Sequence, residues 1–162
     1  MSTSSKSPAL SAATKTSDSV APLRKSVRVC RSAADAFRLF TAELESWWPL
    51  RTHSVSGDRT RLCAFECHRG GQIYEEDQDG KRFVWGTVLV WDPPYRLAFT
   101  WHPGRAEDTR QEVEVRFLEQ GDETRLELVH TGWERLGNEA LETRGRYDSG
   151  WQAVLEAYAS RT

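Results

Sequence analysis

Long apolar runs, charge of one sign and a full set of cysteines are all missing from this chain of 162 residues. No stretch approaches the roughly 20 apolar residues that cross a bilayer, and the N-terminus lacks the apolar centre of a secretory signal. Membrane insertion is therefore not expected, and a cytoplasmic location is. Lys and Arg number 22 against 24 Asp and Glu, interleaved to a net charge of -2. That balance leaves no basic face for a phosphate backbone, so nucleic acid is not an expected partner.

Cys30, Cys63 and Cys67 are the only cysteines, an odd and sparse set unlike a disulfide framework. If "CAFECH" is a strand, Cys63 and Cys67 lie about 13 Å apart along it, at roughly 3.3 Å per residue. Two sulfurs sharing a zinc sit no more than about 4.6 Å apart, so no metal site is expected there. The sequence also has no GxSxG elbow, phosphate loop, HExxH or dinucleotide fingerprint. Serine acyl transfer, nucleotide chemistry and nicotinamide redox chemistry lose their support, and no cofactor is expected.

What the chain does have is one domain's worth of alternating pattern and seven tryptophans. Residues 1–22, rich in Ser, Thr, Ala and Lys, read as a disordered tail, and the domain spans 23–162. "LRKSVRV" alternates as a strand. A helix follows, with Ser32 as N-cap, Asp35 at its third position and a stripe of Ala36, Phe37, Leu39, Phe40 and Leu44. Pro49 disfavours helical geometry at Trp48, so this helix should end at the Trp47–Trp48 pair. Rings on adjacent helical positions point about 100° apart. Trp47 extends the stripe into the core, and Trp48 is left for a pocket rim.

From Arg61 to His130 the period becomes two, in six segments separated by turns. They form an antiparallel meander with one apolar face, on which Phe83, Trp85, Trp91, Tyr95, Phe99 and Trp101 fall. A sheet apolar on one side needs a cover. The C-terminal segment supplies it, with Asn138 as N-cap and a stripe of Leu141, Tyr147, Trp151, Val154, Leu155 and Tyr158. Arg144 and Asp148 fall on that stripe four residues apart, placed to pair with each other, either at the helix surface or inside a cavity. Gly145 and Gly150 interrupt the same helix, and each suggests the close approach of a strand or of a ligand. His130 points inward at a strand end, as a satisfied core histidine or a ligand contact.

The pieces "AFRLFT…WWP", "HRGGQIYE", "VWGTVLVWDPPYRLAFTWH", "TRLELVHTGWERLG" and "GRYDSGWQAVLEAY" run in family order over residues 23 to 159. On these the chain resembles the START-like, or SRPBCC, superfamily, in the branch homologous to the activator of the heat-shock chaperone ATPase (AHSA-like). The resemblance implies an α+β helix-grip fold, β-α-β6-α, with a curved antiparallel sheet wrapped on a long C-terminal helix around a cavity. It implies a hydrophobic small-molecule partner such as a lipid or polyketide, and a monomer or weak homodimer. Several pieces are also similar to small START-like proteins of enediyne self-resistance.

The expected ligand contacts are then Trp48, Phe65, Tyr74, Trp85, Phe99, Trp101, His130, Arg144, Asp148 and Trp151. Gly104, in the loop "WHPGRAED", is the candidate for sacrificial damage, because no side chain shields its Cα hydrogens. Non-enzymatic binding of a hydrophobic or aromatic molecule is the favoured reading. The rival is a polyketide cyclase or aromatase, which needs an acid or base against a carbonyl, from Glu66, Tyr74, His130, Arg144 or Asp148. A co-chaperone is the third reading. It stands behind the others, since stimulating a large ATPase calls for an extended surface and often a second domain.

Overall fold

The structure is a computed structural model and describes residues 20–161, so residues 1–19 of the expected tail lie outside the described residues. β1 (Leu23–Val29) leads into α1 (Ala33–Phe40), where the Ser32 hydroxyl accepts the Asp35 N–H at 3.2 Å and caps the helix. Six strands follow: β2 (Thr60–Phe65), β3 (Gln72–Asp77), β4 (Arg82–Asp92), β5 (Arg96–Trp101), β6 (Gln111–Gln120) and β7 (Glu123–Thr131). The chain closes with α2 (Ala140–Ala159). The seven strands form one antiparallel sheet in the order β1-β7-β6-β5-β4-β3-β2, a meander with β1 added beside the last strand. Among the described residues no helix is long and apolar enough to cross a membrane.

Strict alternation along β6 and β7 sends Val113, Val115, Phe117, Leu126 and Leu128 to the covered face, where all are fully buried. Between them and the helices lie the rings of Phe37, Phe40, Trp47 and Tyr158 in edge and tilted contacts. At about 150 to 250 Å² buried per ring, this aromatic layer supplies much of the hydrophobic driving force.

Alternation fails on β4, and the failure bends the sheet. Ile73 pairs with Gly86 and Tyr74 with Val84, which leaves Trp85 as an extra residue, and a second register shift falls between Val88 and Val90. Such bulges kink a strand and re-aim its side chains. Leu89 is consequently turned outward, and Tyr95, expected on the apolar face, is 55% exposed in the turn between β4 and β5. At the bend the β5 backbone comes so close that a Cβ on Gly86 would sit 1.7 Å from the Thr100 carbonyl oxygen. Gly86→Ala should therefore destabilise the fold by about 2–3 kcal/mol, read as a lowered urea midpoint, because backbone rather than a flexible side chain has to move.

Both helix boundaries differ from the sequence expectation. α1 stops at Phe40, followed by a short 3₁₀ turn over Leu44–Ser46, so Trp47 and Trp48 lie beyond the helix rather than on adjacent helical positions. A 3₁₀ segment spans Trp133–Glu139, so α2 begins at Ala140 with Glu139 before it, and Asn138 caps nothing. Leu141, expected on the buried stripe, is 75% exposed, because the buried face of α2 runs through Ala140, Thr143, Trp151, Val154 and Tyr158 and leaves Leu141 to one side.

Candidate functional site

The curved sheet and α2 do not close completely on each other, and a cavity of about 530 Å³ opens between them. That lies within the roughly 300–1,000 Å³ usual for small-molecule sites. The indoles of Trp48, Trp85, Trp101 and Trp151 form its apolar wall, with ring centroids 5.0 Å apart for Trp48 and Trp85 and 5.4 Å for Trp101 and Trp151. Behind them a gap of only about 10 Å³ separates the same rings from Phe40, Phe65, Ile73 and Phe99. Too small for a water molecule, it marks the layer behind the indoles as solid core.

Three segments frame the mouth. Thr52–Val55 form one lip, Pro103, Gly104 and Arg105 another, and α2 presents Thr143, Arg146, Tyr147, Ser149 and Gly150. The first lip is tied down from beneath. The Trp48 Nε1–H donates to the His53 carbonyl at 2.7 Å, and the fully buried Glu75 carboxylate accepts from the N–H groups of Val55 and Ser56 at 2.7 and 2.8 Å. Glu75 also accepts from the Ser56 hydroxyl and from Trp85 Nε1–H, both at 2.6 Å. One carboxylate thus joins the lip to the tryptophan wall.

Among the described residues no acidic side chain lines the cavity, whereas Arg105, Arg146 and His53 do. Arg105 pairs with Glu139 at 3.1 Å and Arg146 with Glu142 at 3.0 Å, both acids lying outside the lining. The inner surface consequently offers mostly donors. His53 keeps its Nδ1 2.7 Å from the Thr52 hydroxyl, and partial burial holds its pKa below the ordinary imidazole value. At neutral pH it can accept a proton. Burial moves Tyr147 the other way, keeping its phenol protonated. The Trp101 Nε1–H bears on that phenol without closing a hydrogen bond of ordinary geometry.

Of the sequence-expected contacts, Trp48, Trp85, Trp101 and Trp151 line the cavity, as does Gly104 in the left-handed region at φ 72°. Trp47 instead packs in the core, its Nε1–H donating to the Leu39 carbonyl at 2.8 Å. Phe65 and Phe99 sit in the solid layer behind the indoles. The remaining four are elsewhere. Tyr74 lies on the outer face beneath the Arg82 guanidinium, 3.6 Å from its ring, because the regular alternation of β3 turns Ile73, Glu75 and Asp77 inward and Tyr74 outward. His130 is fully buried behind Trp151, accepting its Nε1–H on Nδ1 at 2.9 Å, with Nε2 3.2 Å from Gln111 Oε1.

Arg144 and Asp148 do not bond to each other. α2 packs along β1, so Asp148 pairs with Lys25, and Arg144 donates to the carbonyls of Ala21 and Pro22 at 2.7 and 2.9 Å. Glu66, a candidate acid, accepts the Gln72 N–H at 2.8 Å in the turn before β3. Of the two helix glycines, neither has an atom within 4 Å of a would-be Cβ, and Gly150 faces the cavity. Residues that sequence reasoning passed over are His53, Arg105, Thr143 and Arg146. The first two lie in loops without periodicity; Thr143 was signalled by its spacing of four and eight residues ahead of Tyr147 and Trp151.

A curved antiparallel sheet gripping a long C-terminal helix, with a cavity between them, defines a helix-grip protein of the SRPBCC superfamily. The chain belongs within it to the family of activator of Hsp90 ATPase homolog 1-like proteins, whose model matches residues 31–160. Among solved structures it is 38% identical to the anthrahydroquino-γ-pyrone synthase Txn09 complexed with SUM, over 77% of this chain and 85% of that one, with a TM-score of 0.56. It is 27% identical to CalC from Micromonospora echinospora, a self-sacrificing resistance protein, over 86% and 92% of the two chains at a TM-score of 0.67. The Aha1 dimer from Colwellia psychrerythraea, at 12% identity and a TM-score of 0.62 over 86% and 94%, shares the fold. No curated protein sequence matches the chain.

Proposed function

We propose that the chain binds a flat aromatic polyketide carrying ketone or phenolic oxygens. The observation that carries this reading is the open cavity of about 530 Å³, walled by four indoles and lined by donors, with no carboxylate among the described residues. Indole faces favour a planar aromatic body, and an acid-free rim favours oxygens bearing negative charge or lone pairs. Identity to a γ-pyrone synthase and to a resistance protein supports the same ligand class.

Titration with a panel of hydroxyanthraquinones should quench the intrinsic tryptophan fluorescence saturably, at micromolar concentrations. A flat response across the panel overturns the proposal.

Ring closure of the bound molecule is the second reading, favoured by the 38% identity to the synthase and by His53, a neutral base at the mouth near the protonated Tyr147. Chromatography and mass analysis of ligand and protein after incubation separate the fates. Converted ligand supports the cyclase and unchanged ligand the carrier. Cleavage of the chain at Gly104, which lines the same cavity, supports sacrificial resistance.

A further inference from the structure

Six tryptophans are buried, and five of them place the indole N–H on an acceptor: Trp47 on the Leu39 carbonyl, Trp48 on that of His53, Trp85 on Glu75, Trp133 on the His130 carbonyl and Trp151 on the His130 ring. Trp101, 3% exposed, is the exception: its Nε1–H has no hydrogen-bond partner among the described residues. Thr143, also 3% exposed, has an equally unpartnered hydroxyl. A threonine in a helix ordinarily returns its hydroxyl to the carbonyl four residues back, and this one does not. The one other such atom among the described residues, Arg125 Nε, lies 3.1 Å from a Glu127 carboxylate oxygen. The two residues that remain, Trp101 and Thr143, both line the same cavity.

Their surroundings bring them together. Thr143 and Tyr147 are one helical turn apart on the α2 face that meets the cavity, and the Trp101 Nε1–H bears on the Tyr147 hydroxyl. An indole N–H can only donate, and a buried donor without a partner is destabilising, so its persistence points to an acceptor supplied from outside the chain.

We infer that Trp101 Nε1–H and the Thr143 hydroxyl, with Tyr147 beside them, form a donor clamp that holds one ketone or phenolate oxygen of the aromatic ligand. This rests on the binding reading above and adds to it a specific anchoring point. It also sets a selectivity: a polycyclic molecule without oxygens fits the indole wall but leaves the clamp empty. The clamp orients the ligand, fixing which edge of the ring system faces His53 at the mouth.

Calorimetric titration of the full chain with 1,8-dihydroxyanthraquinone, and with anthracene as the oxygen-free control, tests the clamp. Thr143→Val removes the hydroxyl at constant shape and Trp101→Phe removes the N–H. Each should weaken dihydroxyanthraquinone binding about 5- to 10-fold more than it weakens anthracene binding, the equivalent of one hydrogen bond; Trp101→Phe is read as that ratio because Trp101 also belongs to the indole wall. Thr143→Ser should retain wild-type affinity. The ligand-free Thr143→Val protein should melt no lower than the wild type, since it loses a hydroxyl that bonds to nothing.

Unchanged dihydroxyanthraquinone affinity in Thr143→Val, or equal weakening of both compounds, overturns the clamp while the binding reading stands. Absence of saturable binding of either compound to the wild type overturns both. Thr143→Val carries the test should Trp101→Phe disturb the wall.

Discussion

Replacing Glu75 by alanine should lower the free energy of unfolding by about 3–5 kcal/mol, a large share of the roughly 5–15 kcal/mol that a domain of this size possesses. The side chain is fully buried and accepts four short hydrogen bonds, from Val55 N–H, Ser56 N–H, Ser56 Oγ–H and Trp85 Nε1–H. Alanine removes the acceptor of all four donors: the fully buried Trp85 N–H is left without a partner, at a cost on the order of 1–3 kcal/mol, and the Val55–Ser56 lip loses the bonds that hold it and has to rearrange to hydrate its donors. Glutamine tests the argument more finely. It matches the shape but replaces one oxygen by an NH₂ that faces donors, so Glu75→Gln should fall between wild type and Glu75→Ala. Urea denaturation followed by fluorescence ranks the three, and equal stability of wild type and Glu75→Gln would show that the donors do not depend on the carboxylate. Because Glu75 ties the Val55–Ser56 lip to Trp85, folded molecules of either variant should also bind the aromatic ligand more weakly.

The second large effect is one of pH. Burial holds the His130 imidazole down to a pKa of about 3, against about 6.5 for a free histidine. Its Nδ1 accepts from Trp151, so its proton is on Nε2, donated to Gln111 Oε1. Trp133 stacks on one side at 4.0 Å and the Tyr147 ring lies 5.0 Å away. The unfolded chain takes up a proton near pH 6.5 that the folded chain refuses until about pH 3. Acid therefore favours unfolding, and the contribution of neutral His130 is complete above about pH 6.5 and lost progressively below it. At up to about 1.4 kcal/mol per pH unit, the loss at pH 5 is on the order of 2 kcal/mol. Denaturation curves from pH 7 to 4 should show this decline in the wild type and a shallower one in His130→Gln, whose neutral-pH stability is lower. Parallel declines would mean that carboxylates alone set the acid limb.

The sheet was legible because β6 and β7 keep strict alternation, and Ser32 was legible because an N-cap is a local device. Where the reading failed, a physical interruption explains it. The extra residue at Trp85 reverses the phase of β4 and turns Leu89 outward, whereas Tyr95 is not in the core because it lies in the turn between β4 and β5 rather than on either strand. The 3₁₀ segment before Ala140 shifts the start of α2, and Leu141, about 80° round the helix from Trp151, falls outside the buried face. The cavity wall was visible as excess tryptophan, but its polar half was not. His53 and Arg105 owe their places to loops fixed by long-range bonds, the first through Glu75, which holds the neighbouring Val55 and Ser56, and the second through Glu139, and no spacing rule anticipates those. The Arg144–Asp148 expectation failed because β1 and the two residues before it supply competing partners, Lys25 for Asp148 and the Ala21 and Pro22 carbonyls for Arg144, more than 120 residues away in sequence.

The tryptophan wall has an optical consequence. Trp48, Trp85, Trp101 and Trp151 stand with neighbouring centroids between 5.0 and 6.2 Å, far inside the range over which indoles exchange excitation before they emit. The four act as a single coupled chromophore rather than independent lamps. A guest that touches any one of them darkens the set, so the protein carries its own occupancy gauge.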